Sequence, residues 1–251
     1  MKATQDVLRV WRKFDQHPME TITKAWYASQ SGQNKQRSVT LMKEHREQFG
    51  TAGNCFDLAL WLMDELKAEG IHAYAIGHDL HTPEAHVAVV AVNDEGNSYF
   101  CDLGDQWIDP ILITRNSSDF CEDALSGFIT GGKISVQVGS NDVLFKYIRP
   151  SGKVSKQKFN LQPIPLDELQ SAASFSQSLL RNPLVEMRVY TPEEVIHWEF
   201  DRWNSFMSSN SGLMNEPKLI DDAQWADRIH LMSGIDREVI CKALVIYSKK
   251  G

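Results

Sequence analysis

Three residues of this 251-residue chain have the types and the order that thiol chemistry on an acyl group requires: Cys55, His86 and Asp102. A thiolate attacks the acyl carbon, an imidazole moves the proton, and a carboxylate orients that imidazole and stabilises its cation. Cys55 stands at or beside the first residue of a helix expected from Cys55 to about Glu69, apolar nearly all round through Phe56, Leu58, Ala59, Leu60, Leu62, Met63 and Leu66. Such a helix is buried, and Gly70 supplies its left-handed stop. At a helix start the unpaired N–H groups and the helix dipole favour a thiolate. Asp57, in the same first turn, competes for that positive end, while Gly53 permits close backbone approach. Alone, Cys55 reads more simply as a small buried apolar residue.

The second and third residues come from a hairpin. Strands are expected at Ile71–Ile76, Ala85–Val92 and Ser98–Leu103, the last two joined by the turn Asn93-Asp94-Glu95-Gly96-Asn97. His86 opens one strand and Asp102 lies near the end of its partner. If Val92 pairs with Gly96 the two are directly opposite; if Val92 pairs with Ser98 they are diagonal neighbours on one face. Either register brings imidazole and carboxylate into contact range, whereas a one-residue slip separates them. His72, His78, His81 and Asp79 form a rival cluster, and His78-x-x-His81 could be read as metal ligands. The Asp79–Pro83 segment reads as a loop with no second ligand pair at metal-site spacing, so solvated histidines and no metal are expected. Cys101 alternates to the face opposite Asp102 and reads as a core thiol. Cys121 and Cys241 have no visible partner, and the four cysteines lack the spacing of a zinc knuckle or a disulfide framework.

The elements that must position these residues suggest an α+β chain. Val7, Val10, Trp11 and Phe14 recur at helical spacing, and Ser29-Gln30-Ser31-Gly32-Gln33-Asn34 reads as a loop. Short strands follow at Ile134–Val138, Val143–Ile148 and Val154–Asn160, then helices near Leu166–Leu180 and Asp221–Met232. Helices, then strands, then mixed structure point to a central antiparallel sheet or barrel. Trp198, Phe200, Trp203 and Phe206 suit the buried face of a short helix or an irregular lid. Net charge is −7, from 33 acidic and 26 basic side chains, with no Lys/Arg run, which argues against nucleic acid as main partner. No apolar run approaches the roughly 20 residues of a membrane span, and none at the N-terminus suits a signal peptide. A soluble cytoplasmic protein with free thiols is the expectation.

With these residues assembled, the chain resembles the arylamine N-acetyltransferase family. Gly53-Asn54-Cys55-Phe56-Asp57-Leu58-Ala59 is similar to the family's Arg-Gly-Gly-x-Cys-Phe-Glu-x-Asn segment. Ala85-His86-Val87-Ala88-Val89-Val90 resembles its histidine strand, and Tyr99-Phe100-Cys101-Asp102-Leu103-Gly104 its Asp-Val-Gly strand. Arg181-Asn182-Pro183-Leu184 stands where the family often has a Ser-Pro-Phe turn, and Ile229–Leu244 resembles its terminal helix region. The resemblance implies an N-terminal helical bundle carrying Cys55 (1–84), a central antiparallel β-barrel carrying His86 and Asp102 (85–190), and a C-terminal α/β lid (191–251). It also implies acetyl-CoA as acyl donor and co-substrate, Cys55 as nucleophile, His86 as base and acid, Asp102 as its orienter, and a small-molecule arylamine or hydrazine as acceptor. Helix-start N–H groups would serve as oxyanion donors. The sequence departs from the family at Thr51-Ala52, where Arg-Gly is usual, at Asp57 for Glu, and at Pro18-Met19-Glu20, a poor stand-in for Pro-Phe-Glu-Asn.

The same Cys…His…Asp order is shared by transglutaminase-like and papain-like enzymes, and Trp107-Ile108-Asp109-Pro110 resembles the ending of transglutaminase-like cores. Asp109 then competes with Asp102, but Asp109 before a proline reads as a strand exit. Peptide or glutamine amide hydrolysis or crosslinking, release of a biosynthetic acyl chain by amide synthesis, and a non-catalytic module that kept the fold are the competing expectations.

Overall fold

Helices of the N-terminal part owe their limits to local hydrogen bonding. In the computed structural model, which describes residues 1–31 and 36–249, they are α1 (Gln5–Arg12), α2 (Ile22–Ser31), α3 (Val39–Phe49) and α4 (Cys55–Ala68), with the short strand β1 (Met19–Glu20) after α1. α1 turns Val7, Val10 and Trp11 inward. α3 starts where the Ser38 side chain accepts from Leu41 N and stops at Gly50, φ 68°. Residues 29–31, expected in a loop, continue α2; the remainder of that expected loop, residues 32–34, lies outside the described residues. α4 buries Phe56, Leu58, Trp61, Leu62 and Leu66, as its all-round apolarity requires.

Strands β2 (His72–His78), β3 (His86–Val92), β4 (Ser98–Cys101) and β5 (Ile111–Leu112) form one antiparallel sheet in that order. A second comprises β6 (Leu125–Ser126), β7 (Lys133–Val138), β8 (Asp142–Ile148) and β9 (Val154–Asn160). After α5 (Leu166–Ser178) come β10 (Leu184–Tyr190), β11 (Val195–Asp201), β12 (Asn204–Ser209) and β13 (Gly212–Asn215), which with β1 make a third sheet ordered β1-β10-β11-β12-β13. α6 (Asp222–Ser233) and α7 (Arg237–Ser248) finish the chain, separated by the left-handed Gly234; the single terminal helix region expected over Ile229–Leu244 is thus two helices.

The expected central barrel is not present: among the described residues no sheet closes on itself. Closure needs long paired edges, and here the strands at one edge of each central sheet, β5 and β6, are two residues long. The free edge of β2 is met by a loop instead, Ile164 N donating to Ala75 O at 2.9 Å. The two central sheets meet through aromatic side chains, Phe100 of β4 lying 4.2 Å from Phe145 of β8 and 5.0 Å from Phe159 of β9 between ring centroids. The fold is therefore α+β with three open antiparallel sheets.

Two cores hold it together. One joins α1, α4 and both central sheets; the other joins α2, β10, β11, α6 and α7. Trp198 and Phe200 belong to the second core, but on strand β11 rather than on a helix or irregular lid. Trp203 sits in the tight turn to β12 and donates to Asp222 Oδ1 at 2.8 Å. No helix among the described residues is long and apolar enough to cross a membrane.

Candidate functional site

Asn54 fixes the start of α4. Its Oδ1 accepts from Phe56 N at 3.0 Å and Asp57 N at 3.1 Å, while Asp57 Oδ2 accepts from Asn54 N at 3.1 Å, a reciprocal capping box. Gly53 makes this possible: φ is +113°, and a Cβ there would lie 2.2 Å from Asp57 Oδ2. Asp57 also accepts from Gln36 Nε2 at 2.7 Å and Gln177 Nε2 at 2.9 Å, and buried Arg37 lies 3.5 Å away. Its charge is thus met by its own partners, so it competes less with a thiolate for the helix start than the sequence suggested.

The loop before Cys55 is braced from two sides. Buried Glu20 accepts from Ala52 N at 3.2 Å and from Thr23 N at 2.8 Å, while Glu20 N donates to Gly53 O. Arg37 Nη2 donates to Ala52 O at 3.0 Å. Pro18-Met19-Glu20 therefore has a structural task beside the nucleophile loop. An arginine reaches that loop from position 37, where Thr51 offers none.

β3 and β4 pair with Val92 opposite Ser98, the diagonal of the two even registers, which puts His86 and Asp102 on one face. His86 Nε2 and Asp102 Oδ2 are 2.9 Å apart, and Asp102 Oδ1 accepts from Asp105 N at 2.9 Å. Asp102 is fully buried. The Cys55 side chain bears on the same ring. Burial pulls the His86 pKa down, but Asp102 and then Asp105, with the hydrogen bonds the ring makes to Asp102 and Cys55, carry it well above the ordinary histidine value.

Gly104 explains how the three side chains fit. A Cβ on residue 104 would lie 2.6 Å from His86 Cε1, 2.7 Å from Cys55 Cβ and 3.2 Å from Asp102 Oδ1, so all three converge on one point that only glycine leaves open. Asp109 is elsewhere, paired with Arg12 and 3.8 Å from Lys2 Nζ.

Further residues stand at the site, among them His78, which the sequence suggested as a solvated histidine. His78 is opposite His86 across β2 and β3 and its ring stacks on it, centroids 5.8 Å apart. Phe159 closes edge-on against both rings. The half-buried Lys24 donates to Ser176 O and Oγ; burial lowers its pKa, opposed by Cys55, Asp57 and Glu20. Ser176 Oγ also accepts from Asn54 Nδ2 at 3.1 Å, tying α2, α5 and the cap of α4 together. His78 and His81 do not converge as a ligand pair: His78 Nδ1 meets Asp79 and His81 Nε2 meets Glu168. Cys101 is buried and its thiol is pushed up by burial, as suits a core residue.

A second cluster went unread in the sequence. One ligating atom each from Glu186, His197 and Glu199 lies within 4.8 Å of the other two. The alternation His197-x-Glu199 would have signalled one strand face, had 195–201 been read as a strand.

No protein-family model and no curated protein matches this chain. Solved structures do. A Mycobacterium marinum arylamine N-acetyltransferase superposes with a TM-score of 0.75 at 13% identity, covering 98% of this chain and 93% of that one. The same enzyme in complex with CoA gives 0.70 at 11% identity, over 93% and 88% of the two chains. A Bacillus cereus arylamine N-acetyltransferase described as having a Cys-His-Glu catalytic triad gives 0.66 at 13%, over 93% and 92%. The chain has the arylamine N-acetyltransferase fold along nearly its whole length.

Proposed function

We propose that the protein is a cysteine acyltransferase that takes an acetyl group from acetyl-CoA as a Cys55 thioester and passes it to an arylamine or hydrazine. The observation that carries this is the convergence of Cys55, His86 and Asp102 on the space left by Gly104, with the His86–Asp102 contact at 2.9 Å. The fold relative that binds CoA supports the choice of donor.

In this scheme the Cys55 thiolate adds to the thioester carbonyl, and the tetrahedral intermediate collapses by breaking the bond to the CoA sulfur, which takes the His86 proton. The acceptor amine then attacks the Cys55 thioester, His86 takes the amine proton, and Cys55 leaves as thiolate. Asp102 holds the ring in place and stabilises its cation. The amides of Phe56 and Asp57 already donate to Asn54, which leaves the amide of Cys55 itself as the helix-start donor for the oxyanion. The Lys24 charge bears on Cys55 from α2.

Intact-protein mass after brief exposure to acetyl-CoA tests the scheme. An acetyl-sized gain on the native chain, absent in Cys55→Ala and discharged by an arylamine or hydrazine, is the expected result. An unmodified native chain, with Cys55 still alkylated selectively by iodoacetamide, would overturn the choice of donor.

A further inference from the structure

Beside the proposed catalytic residues lies a cavity of about 190 Å³ whose wall includes Asp105, Glu186 and Glu199. Asp105 links it to the imidazole, its Oδ1 lying 3.8 Å from His86 Nε2. Glu186 and Glu199 also border a larger cleft of about 380 Å³ that reaches Lys24, Ala85 and Ser176, next to the start of α4. The two carboxylates thus form a partition between the cleft and the cavity.

Their placement is costly as it stands. Glu186 and Glu199 face each other directly across β10 and β11, and like charges in directly opposed positions destabilise a sheet. His197 Nε2 lies 3.2 Å from Glu186 Oε2, an ion-pair distance without hydrogen-bond geometry, so one imidazole stands between two carboxylates. Arg149 also lines the cavity, where its charge partly offsets that of Glu199 while its Nη1 donates to Thr130 O at 3.3 Å. Burial and then Glu186 push the Glu199 carboxyl up to about 7, against the opposing pull of His197 and Arg149.

An independent observation points the same way. Gln106 and Thr130 line the cavity, are 2% and 5% exposed, and have side-chain oxygens, Oε1 and Oγ1, without a hydrogen-bond partner. Gln106 Nε2 donates to Leu103 O at 2.8 Å, which fixes the amide and leaves its oxygen as a standing acceptor. Buried acceptors without donors are unfavourable unless something supplies the donors.

We propose that this cavity seats a primary ammonium group carried by the acyl acceptor, so that the preferred acceptor is a diamine: one neutral amine that takes the acyl group and one protonated amine held by Glu186, Glu199 and Gln106. A primary ammonium brings three N–H donors and one positive charge to this surplus of acceptors. A divalent cation is the poorer occupant because the Arg149 guanidinium shares the space. The assignment rests on the acyltransferase reading for the word acceptor, and on the cavity alone for the cation.

Two isosteric probes separate these parts: 4-aminobenzylamine, whose aminomethyl group is protonated at neutral pH, and the uncharged 4-ethylaniline. Binding to the full chain bearing Cys55→Ala is followed by ligand-observed NMR titration, with EDTA present. The charged probe is expected to bind at least tenfold more tightly, since hydrogen bonds to charged groups are the strong ones. That ratio should fall to within about twofold when Glu186→Gln and Glu199→Gln are added. Equal affinities on the unaltered cavity would overturn the cation site, whether or not acetyl-CoA labels Cys55 in the native chain. A preference that survives both Gln substitutions would overturn it too. Failure of acetyl-CoA to label Cys55 while the preference holds would instead count against acyl transfer and leave the cation site standing.

Discussion

His86–Asp102–Asp105 and Glu186–His197–Glu199 are built from the same kinds of side chain, one imidazole and two carboxylates, yet their charges are met differently. In the first, both oxygens of Asp102 have partners, the imidazole on one and the Asp105 amide on the other. In the second, two carboxylates oppose each other across a strand pair and share one imidazole, which lies at ion-pair distance from Glu186 and whose charge also bears on Glu199. In the first cluster Asp102 is satisfied by the chain itself and is suited to hold the imidazole in place, while burial and Asp102 push the carboxyl of Asp105 up. The second carries surplus acceptors and is suited to hold something brought to it. Residue type alone does not separate these roles; the hydrogen-bond partners do.

The contrast breaks most visibly at Gly104. Gly104→Ala introduces a methyl group into the point shared by Cys55, His86 and Asp102. Thiol reactivity at Cys55 should fall by about a hundredfold or more, since a shift of about 1 Å in such a constellation costs that much, while circular dichroism reports an intact fold. Unchanged reactivity would show that the three side chains tolerate displacement.

Removing a carboxylate should have opposite effects in the two clusters. Asp102→Asn removes the counter-charge of a buried imidazolium and is expected to cost about 3 kcal/mol in denaturant unfolding near pH 6. Because the folded pKa of His86 is raised, the stability linked to its proton is fully present below the ordinary histidine value and is lost as pH rises through the higher folded value. The Asp102→Asn deficit should therefore shrink with rising pH. Glu199→Gln should instead stabilise the protein by about 1–2 kcal/mol above pH 7. The Glu199 carboxyl titrates at about 7 rather than 4.5 in the folded chain, so its penalty grows as pH rises through that window and is absent below it. Equal signs for the two variants would remove the distinction between the clusters.

The smallest effect serves as a control away from both. Burial raises the Glu65 pKa, but hydrogen bonds from Lys43 and Lys13, at 2.7 and 2.9 Å, hold it at about 2. With a depressed folded value, its contribution is present above the unfolded value near 4.5 and is lost as pH falls towards 2. Glu65→Gln should cost about 1 kcal/mol at pH 7, both lysines being partly exposed, and close to nothing at pH 2.

Much of the site was legible because its determinants are local. The apolar run after Cys55 and Gly70 mark α4, and the short turn between the two strands allows the even register that puts His86 and Asp102 on one face. Whole-sheet properties were not legible. The sequence suggested a closed barrel, yet closure depends on edge pairing, and β5 and β6 are too short to provide it. The β11–β12 hairpin escaped detection because its turn residues, Arg202 and Trp203, adopt left-handed φ of 48° and 56° without a glycine or asparagine between them. Spacings among Trp198, Phe200, Trp203 and Phe206 then mimic a helix face, and with that strand the His197–Glu199 alternation was lost. Gly104 was read only as part of a strand motif; its steric task needs three distant side chains to be placed first.

The most direct test of the central claim, that Cys55 is activated by His86 held by Asp102, is the rate of iodoacetamide alkylation at each of the four cysteines at pH 6, resolved by peptide mass. Cys55 should react first in the native chain and slow by about a hundredfold or more in His86→Gln, with a smaller loss in Asp102→Asn. A Cys55 that reacts no faster than Cys121, or whose rate is indifferent to His86→Gln, would contradict it.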